Sequence, residues 1–192
     1  GNGLYSYPDG SEFFGTFEDG MKRNGKFKYA NGDLYEGVYN DEGLKLNGVM
    51  RYNDGRVFKG DFKDGLRQCG TMKFVNGDEY DGTYDNDGLM SGSGTMAYAN
   101  GDEYSGDFEH GLMHGQGKMK FANSAVYIGD FKYDLIDGEG QYEYPDGSVY
   151  TGQFKEGLQH GFGRLADAND TTLMFGYWTD GQFSNDSKPL DA

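Results

Sequence analysis

The feature that most constrains this chain is a repeat. The pattern aromatic-x-Gly-x-aromatic recurs along its length. Its first aromatics are Phe13, Tyr35, Phe58, Tyr80, Tyr104, Tyr127 and Tyr150, with Met174 in a degenerate eighth copy. Successive spacings are 22, 23, 22, 24, 23, 23 and 24 residues. A constant period near 23 across 192 residues signals a repeat array, in which each unit buries its apolar face by stacking on its neighbours. All eight copies keep the central glycine (Gly15, Gly37, Gly60, Gly82, Gly106, Gly129, Gly152, Gly176) and the second aromatic (Phe17, Tyr39, Phe62, Tyr84, Phe108, Phe131, Phe154, Trp178).

The other half of each unit reads Gly, an apolar residue and an aromatic at alternate positions, as in Gly25-Phe27-Tyr29, Gly48-Met50-Tyr52 and Gly117-Met119-Phe121, and decays to Gly163-Leu165-Asp167. Both halves therefore have period two, the period of a β-strand. Asp9-Gly10, Asn31-Gly32, Asp54-Gly55, Asn76-Gly77, Asn100-Gly101 and Asp146-Gly147 punctuate them, and such dipeptides supply the positive φ of tight hairpins. The expected fold is all-β: an elongated, single-layer antiparallel meander of seven to eight 23-residue hairpins, curled into a groove. Sixteen strands at about 4.8 Å give a sheet roughly 70 Å long. The array is expected over residues 1–181, with a partial unit at 1–10 and a tail at 182–192.

Composition agrees. There are 34 Gly, 16 Tyr and 14 Phe against few aliphatic residues, and mean hydropathy is −0.81, so the core must set aromatic rings on glycine backbone. The opposite face carries Asp61, Asp81, Asp107 and Asp130 on first strands and Lys26, Lys28, Arg51, Lys73, Lys118, Lys120 and Arg164 on second strands, an expected cross-strand charge pairing. Met21, Leu44, Leu66, Leu89, Leu112, Leu135 and Leu158 follow the turn within each unit and are expected to plug one end of each hairpin. A net charge of −15 disfavours nucleic acid and anionic lipid, because both carry phosphates. The single Cys69 excludes an internal disulfide. No apolar run approaches the roughly 20 residues of a helical membrane span. No secretion signal is visible, and Gly1 opens in mid-pattern, so the natural start is expected to lie elsewhere.

Tyr104 to Gly117 (Y-S-G-D-F-E-H-G-L-M-H-G-Q-G) and Tyr150 to Gly163 (Y-T-G-Q-F-K-E-G-L-Q-H-G-F-G) resemble the MORN repeat (membrane occupation and recognition nexus). The resemblance extends over residues 1–181. It departs at the His-Gly dipeptide, kept only at His114-Gly115 and His160-Gly161. The first three units read Arg23-Asn24-Gly25, Leu46-Asn47-Gly48 and Gln68-Cys69-Gly70, one residue shorter, and are expected to twist differently. The resemblance implies a non-enzymatic scaffold that organises a cytoskeletal, cortical or ciliary assembly in the cytoplasm. The alternatives are a phosphoinositide- or membrane-associated module and the regulatory segment of a larger enzyme.

No catalytic constellation stands out. His114 and His160 share one repeat position, four strands and so roughly 19 Å apart, too far to share a zinc ion within one chain. A metal bridging two chains through His114, His160 or Cys69 is the only such arrangement left, and no cofactor is expected. Gly92-Ser93-Gly94 precedes a strand rather than a helix and so makes no phosphate cradle. Asp85-Asn86-Asp87-Gly88 lacks the bidentate Glu of a calcium loop, where Met96 stands instead. Asn169-Asp170-Thr171 and Asn185-Asp186-Ser187 match the glycosylation sequon by chance.

What remains is surface. Tyr35, Tyr39, Phe58, Phe62, Tyr80, Tyr84, Tyr104, Phe108, Tyr127, Phe131, Tyr150 and Phe154 are the candidate lining of a groove for a partner's helix or extended peptide. Homo-oligomerisation through a terminal repeat is also expected, because an open array exposes sheet edges.

Overall fold

The computed structural model describes residues 1–184. Every regular element among them is a strand: β1 (Asn2–Ser6), β2 (Glu12–Glu18), β3 (Met21–Lys28), β4 (Leu34–Tyr39), β5 (Lys45–Arg51), β6 (Val57–Lys63), β7 (Leu66–Lys73), β8 (Glu79–Tyr84), β9 (Met90–Ala97), β10 (Glu103–Glu109), β11 (Leu112–Lys120), β12 (Val126–Lys132), β13 (Leu135–Glu143), β14 (Val149–Lys155), β15 (Leu158–Ala166), β16 (Thr172–Thr179) and β17 (Gln182–Ser184). They belong to one antiparallel sheet, with β1 on β2 at one end and β17 on β16 at the other, so the sheet is open. Pairing continues past residue 181 through β17, and the rest of the expected tail lies outside the described residues. The chain divides into two compact units, residues 1–91 and residues from 92 onward.

Two turn types alternate. Between units, a three-residue loop closes on the aromatic before it: the Gly10 N–H donates to the Tyr7 carbonyl at 3.0 Å. The Asp or Asn side chain there accepts the N–H two residues on, as Asp9 does from Ser11 at 2.9 Å and Asn31 from Asp33 at 3.0 Å. In these Asp-Gly and Asn-Gly pairs only the glycine has positive φ. Within most units, by contrast, two successive residues have positive φ (Asp19-Gly20, Asp64-Gly65, His110-Gly111, Tyr133-Asp134, Glu156-Gly157), giving tight two-residue turns. His110 is thus a turn residue.

The core is the ring face. Central glycines face each other across strand pairs within each unit, Gly15 with Gly25 and Gly37 with Gly48 in the first unit, Gly106 with Gly117 and Gly129 with Gly140 in the second. The first aromatic of each repeat lies over such a pair. A Cβ at Gly117 would stand 2.4 Å from the Tyr104 ring, and one at Gly48 2.9 Å from that of Tyr35. Within each compact unit, first rings also pack edge-on against the second ring of the following repeat: Phe13 on Tyr39 at 5.5 Å and Tyr35 on Phe62 at 5.4 Å, then Tyr104 on Phe131 at 4.9 Å and Tyr127 on Phe154 at 5.1 Å. Burying each ring contributes about 1.5–3 kcal/mol, and edge-to-face pairing about 0.5–1.5 more.

Two expectations are corrected. The turn-following Met and Leu are not plugs: Met21, Leu66, Leu135 and Leu158 are 45–48 % exposed, because their side chains leave the sheet on the face opposite the rings. The cross-strand ion pairs use Glu rather than the Asp of the repeat (Lys26–Glu36, 3.3 Å; Lys73–Glu79, 2.9 Å; Lys120–Glu103, 3.6 Å). The repeat Asp residues take neutral donors instead: Asp61 accepts from the Asn47 side-chain amide at 2.6 Å, Asp107 from the Ser93 hydroxyl at 3.1 Å, and Asp130 from the bulge N–H of Glu139 at 2.7 Å. That bulge is also where the units differ. Phe17 and Gly15 oppose Lys22 and Gly25, leaving the single extra residue Arg23, whereas Phe108 and Gly106 oppose Met113 and Gly117, leaving a wider bulge at His114-Gly115. The wider bulge needs left-handed glycine (Gly115, φ 68°), and Asp107 folds against it, 3.3 Å from where a Cβ would sit.

Candidate partner-binding face

Of the twelve rings proposed as groove lining, eleven are buried: Tyr35, Phe58, Tyr80, Tyr104, Tyr127 and Tyr150 are 0 % exposed, and Tyr39, Phe62, Phe108, Phe131 and Phe154 are 6 % or less. Tyr84 is half-buried. These rings are core: the first ring of a repeat is enclosed by the glycine pair beneath it and the second ring of the next repeat, and each second ring packs on the first rings of its own and the preceding repeat, as Phe131 does on Tyr127 and Tyr104. The Tyr hydroxyls are used inward, donating to the carbonyl three residues on: Tyr35 to Val38 (2.8 Å), Tyr80 to Thr83 (2.9 Å), Tyr104 to Asp107 (2.8 Å), Tyr127 to Asp130 and Tyr150 to Gln153 (both 3.0 Å). Burial pushes the phenols of Tyr35, Tyr80 and Tyr150 up to about 12, and raises those of Tyr104 and Tyr127 as well. Tyr39 and Tyr84 are the exceptions, each with a buried hydroxyl that has no partner among the described residues.

What this face shows to solvent is the aromatic row of the second strands and the turns after them. Tyr7, Phe27, Tyr29, Tyr52, Phe74, Tyr98, Phe121, Tyr142 and Tyr144 are half-exposed. They stack in short runs, such as Tyr7 with Phe27 at 5.4 Å and Phe121 with Tyr142 at 5.8 Å.

Residues 1–91 add three cations that pattern reading had passed over. Lys22, Lys45 and Arg67 lie opposite Phe17, Tyr39 and Phe62, one register position in three successive hairpins. The Lys22 ammonium is 4.8–5.9 Å from the ring centres of Tyr7, Phe13, Phe27 and Tyr39. The Lys45 ammonium is 5.0–5.9 Å from Tyr29, Tyr35 and Phe62. The Arg67 guanidinium stands over Tyr52, Phe58 and Tyr84 and donates to the Tyr52 hydroxyl at 2.6 Å and the Gly88 carbonyl at 2.7 Å. Desolvation by the rings lowers both lysine pKa values. The available signal was positional: each cation directly follows the turn residue Met21, Leu44 or Leu66.

The proposed metal ligands sit in separate surroundings. The Cys69 thiol donates to Asp61 at 3.4 Å, and its pKa is raised, chiefly by burial. His114 is 3.4 Å from Glu109 and stacks on Tyr133 at 4.8 Å, while His160 is 3.7 Å from Asp180. Among the described residues no group of three or more His, Cys, Asp or Glu is placed to hold a metal ion.

A chain of paired glycines roofed by rings, one hairpin per 23 or so residues, defines a hairpin-repeat array with one aromatic face. The chain belongs to the MORN repeat family: the family's sequence pattern matches residues 1–12, 13–34, 58–79, 80–103, 104–126, 127–149 and 150–172. Residues 35–57, outside those matches, form the same hairpin through β4 and β5. No curated protein matches the chain. Among solved structures it is similar to the TCP domain of SAS-4 (dCPAP) of Drosophila melanogaster in complex with a proline-rich motif of Ana2 (dSTIL), at 14 % identity over 89 % of this chain and 86 % of that one, TM-score 0.49. It is also similar to the TCP10 domain of Danio rerio CPAP, at 18 % identity over 92 % of this chain and 100 % of that one, TM-score 0.28. The same domain in complex with a peptide of Danio rerio STIL matches at 18 % identity over 93 % and 95 %, TM-score 0.27.

Proposed function

We propose that this chain is a protein-binding scaffold, without catalysis of its own, that gathers partners into a cytoskeletal assembly through the exposed rim of its ring face. The observation that carries this is the division of the aromatics. One set is consumed as core. A second set, with Tyr7, Phe27, Tyr29, Tyr52 and Phe74 in residues 1–91, is held half-exposed on the same face. Aromatic side chains are favoured anchors at protein interfaces, because they give large rigid contact area at low entropic cost. Membership of a repeat family built from such surfaces points the same way.

The test is site-specific photo-crosslinking in cells. A photoreactive phenylalanine at Tyr52 or Phe74 should yield discrete protein adducts, and the same probe at Ser105, exposed on the opposite face, should yield none. Adducts confined to Ser105, or absent from all three positions, would refute the reading.

A further inference from the structure

The row of Lys22, Lys45 and Arg67 lies in a chain of net charge −15, yet among the described residues none of the three forms an ion pair with a carboxylate. Other basic residues of the same region are paired, Arg23 with Glu18 and Asp41, Arg56 with Asp54. Acids lie near the row but are engaged by other donors: Asp85, which lines a cleft with Arg67, accepts the Asp87 and Leu89 N–H groups, both at 2.9 Å. Asp33, beside Lys45, accepts the Asn53 N–H at 2.8 Å and the Asn31 amide at 2.9 Å. Glu42 lines the same cleft as Lys22, Tyr5, Tyr7 and Phe17 and accepts from the Asn40 side-chain amide at 3.5 Å. Rings attract a cation but leave its charge uncompensated. Three such charges at one register position make a built, periodic cationic site.

We infer that this row docks an extended acidic segment of a partner protein that carries a carboxylate at every third residue. The inference rests on the reading of the ring face as partner-binding and names the chemistry of that partner. Successive cations are two strands apart, so at about 4.8 Å per strand they recur roughly every 10 Å. A polyproline II segment has three residues per turn at about 3.1 Å each, which returns a side chain to the same side every ~9.3 Å. Seven residues thus present three carboxylates in step with three hairpins. The residues between them meet the half-exposed rings of Tyr7, Phe27, Tyr29 and Tyr52. A helix, about 10–12 Å across, would stand off on those rings and hold short carboxylates away from the recessed ammonium groups. The site ends with the third cation, because the equivalent positions opposite Phe108, Phe131 and Phe154 are Met113, Ile136 and Gln159.

The experiment is fluorescence anisotropy with the whole chain and a labelled Glu-Pro-Pro-Glu-Pro-Pro-Glu peptide. The Gln-for-Glu peptide should bind at least about tenfold more weakly, and Lys22→Met or Lys45→Met should each weaken the acidic peptide by about fivefold to tenfold. Binding should also fall with added salt. Equal binding of the Gln peptide would overturn the proposal without any variant, so it stands or falls even if a lysine variant misfolds. Tighter binding of a helical peptide with acids seven residues apart would also overturn it. So would Lys22- and Lys45-dependent sedimentation with phosphatidylserine vesicles in place of peptide binding. Should the crosslinks from Tyr52 persist while the acidic peptide fails, the scaffold reading survives and only the acidic partner falls.

Discussion

The fold sets rings directly on glycine backbone, and Gly117→Ala probes that contact. Gly117 faces Gly106, and a methyl there would lie 2.4–2.7 Å from Cε2, Cζ and Oη of Tyr104. Gly117 does not have positive φ, so Ala incurs no left-handed strain and the steric effect is isolated. Tyr104 cannot simply step aside. It is fully buried, packs edge-on against Phe108 at 5.1 Å and Phe131 at 4.9 Å, and donates to the Asp107 carbonyl at 2.8 Å. Overpacking costs about 1–3 kcal/mol, and loss of the hydroxyl's hydrogen bond adds about 0.5–1.5. The expected destabilisation is about 2–4 kcal/mol, or roughly 4–16 °C in melting temperature at this chain length. Because repeat arrays can unfold in parts, hydrogen exchange at the β10 and β11 amides is the primary assay, supported by thermal melts. Gly111→Ala, at a left-handed turn with open space around it, controls for backbone strain. Truncating Tyr104 to Leu in the Gly117→Ala background should recover at least about 1 kcal/mol in a double-mutant cycle. A change below about 0.5 kcal/mol for Gly117→Ala, or no coupling to Tyr104, would refute the claim that glycine is there for the ring.

Other outcomes follow from the same geometry. Tyr127→Phe removes the hydroxyl that bonds the Asp130 carbonyl and should cost about 1 kcal/mol, whereas Tyr39→Phe removes a buried hydroxyl with no partner and should be neutral or stabilising by about 1 kcal/mol, both read from urea unfolding. Leu135→Ser should change stability by less than about 0.5 kcal/mol, since the side chain is exposed; a loss of 2 kcal/mol or more would restore the plug reading. Alkali should unfold the chain. The folded-state pKa of Tyr35, Tyr80 and Tyr150 is raised to about 12, and that of an unfolded tyrosine is about 10. Their contribution is therefore complete below pH about 10 and is lost as pH climbs to about 12, with phenolate absorbance from these residues appearing only then or on unfolding.

The extent of what the sequence disclosed varies by feature. Strand type and antiparallel order were legible because period two, the turn dipeptides and the 23-residue recurrence all point one way, although the reading of sixteen strands missed β17. The cation row was not legible, because Lys22, Lys45 and Arg67 look like any solvated strand charge until register sets each opposite a second aromatic. The seven Met and Leu after the turns misled for a related reason. Leu66 opposes Lys63 on the outer face while its neighbour Arg67 opposes Phe62 on the ring face, and that parity is fixed by the bulge beyond it rather than by hydrophobicity.

The repeat determined by itself that this chain builds a hairpin sheet, that its glycines and aromatics serve one another, and that most of its charge lies in turns and on the outer face. Which aromatics are consumed and which remain for a partner was decided only in three dimensions. Tyr35 and Tyr29 are equally apolar and six residues apart, yet Tyr35 is sealed between a glycine pair and Phe62, while Tyr29 stands at the rim beside Lys45. A ring is buried here by the backbone beneath it and the next hairpin beside it, and neither is written in the residue's own position.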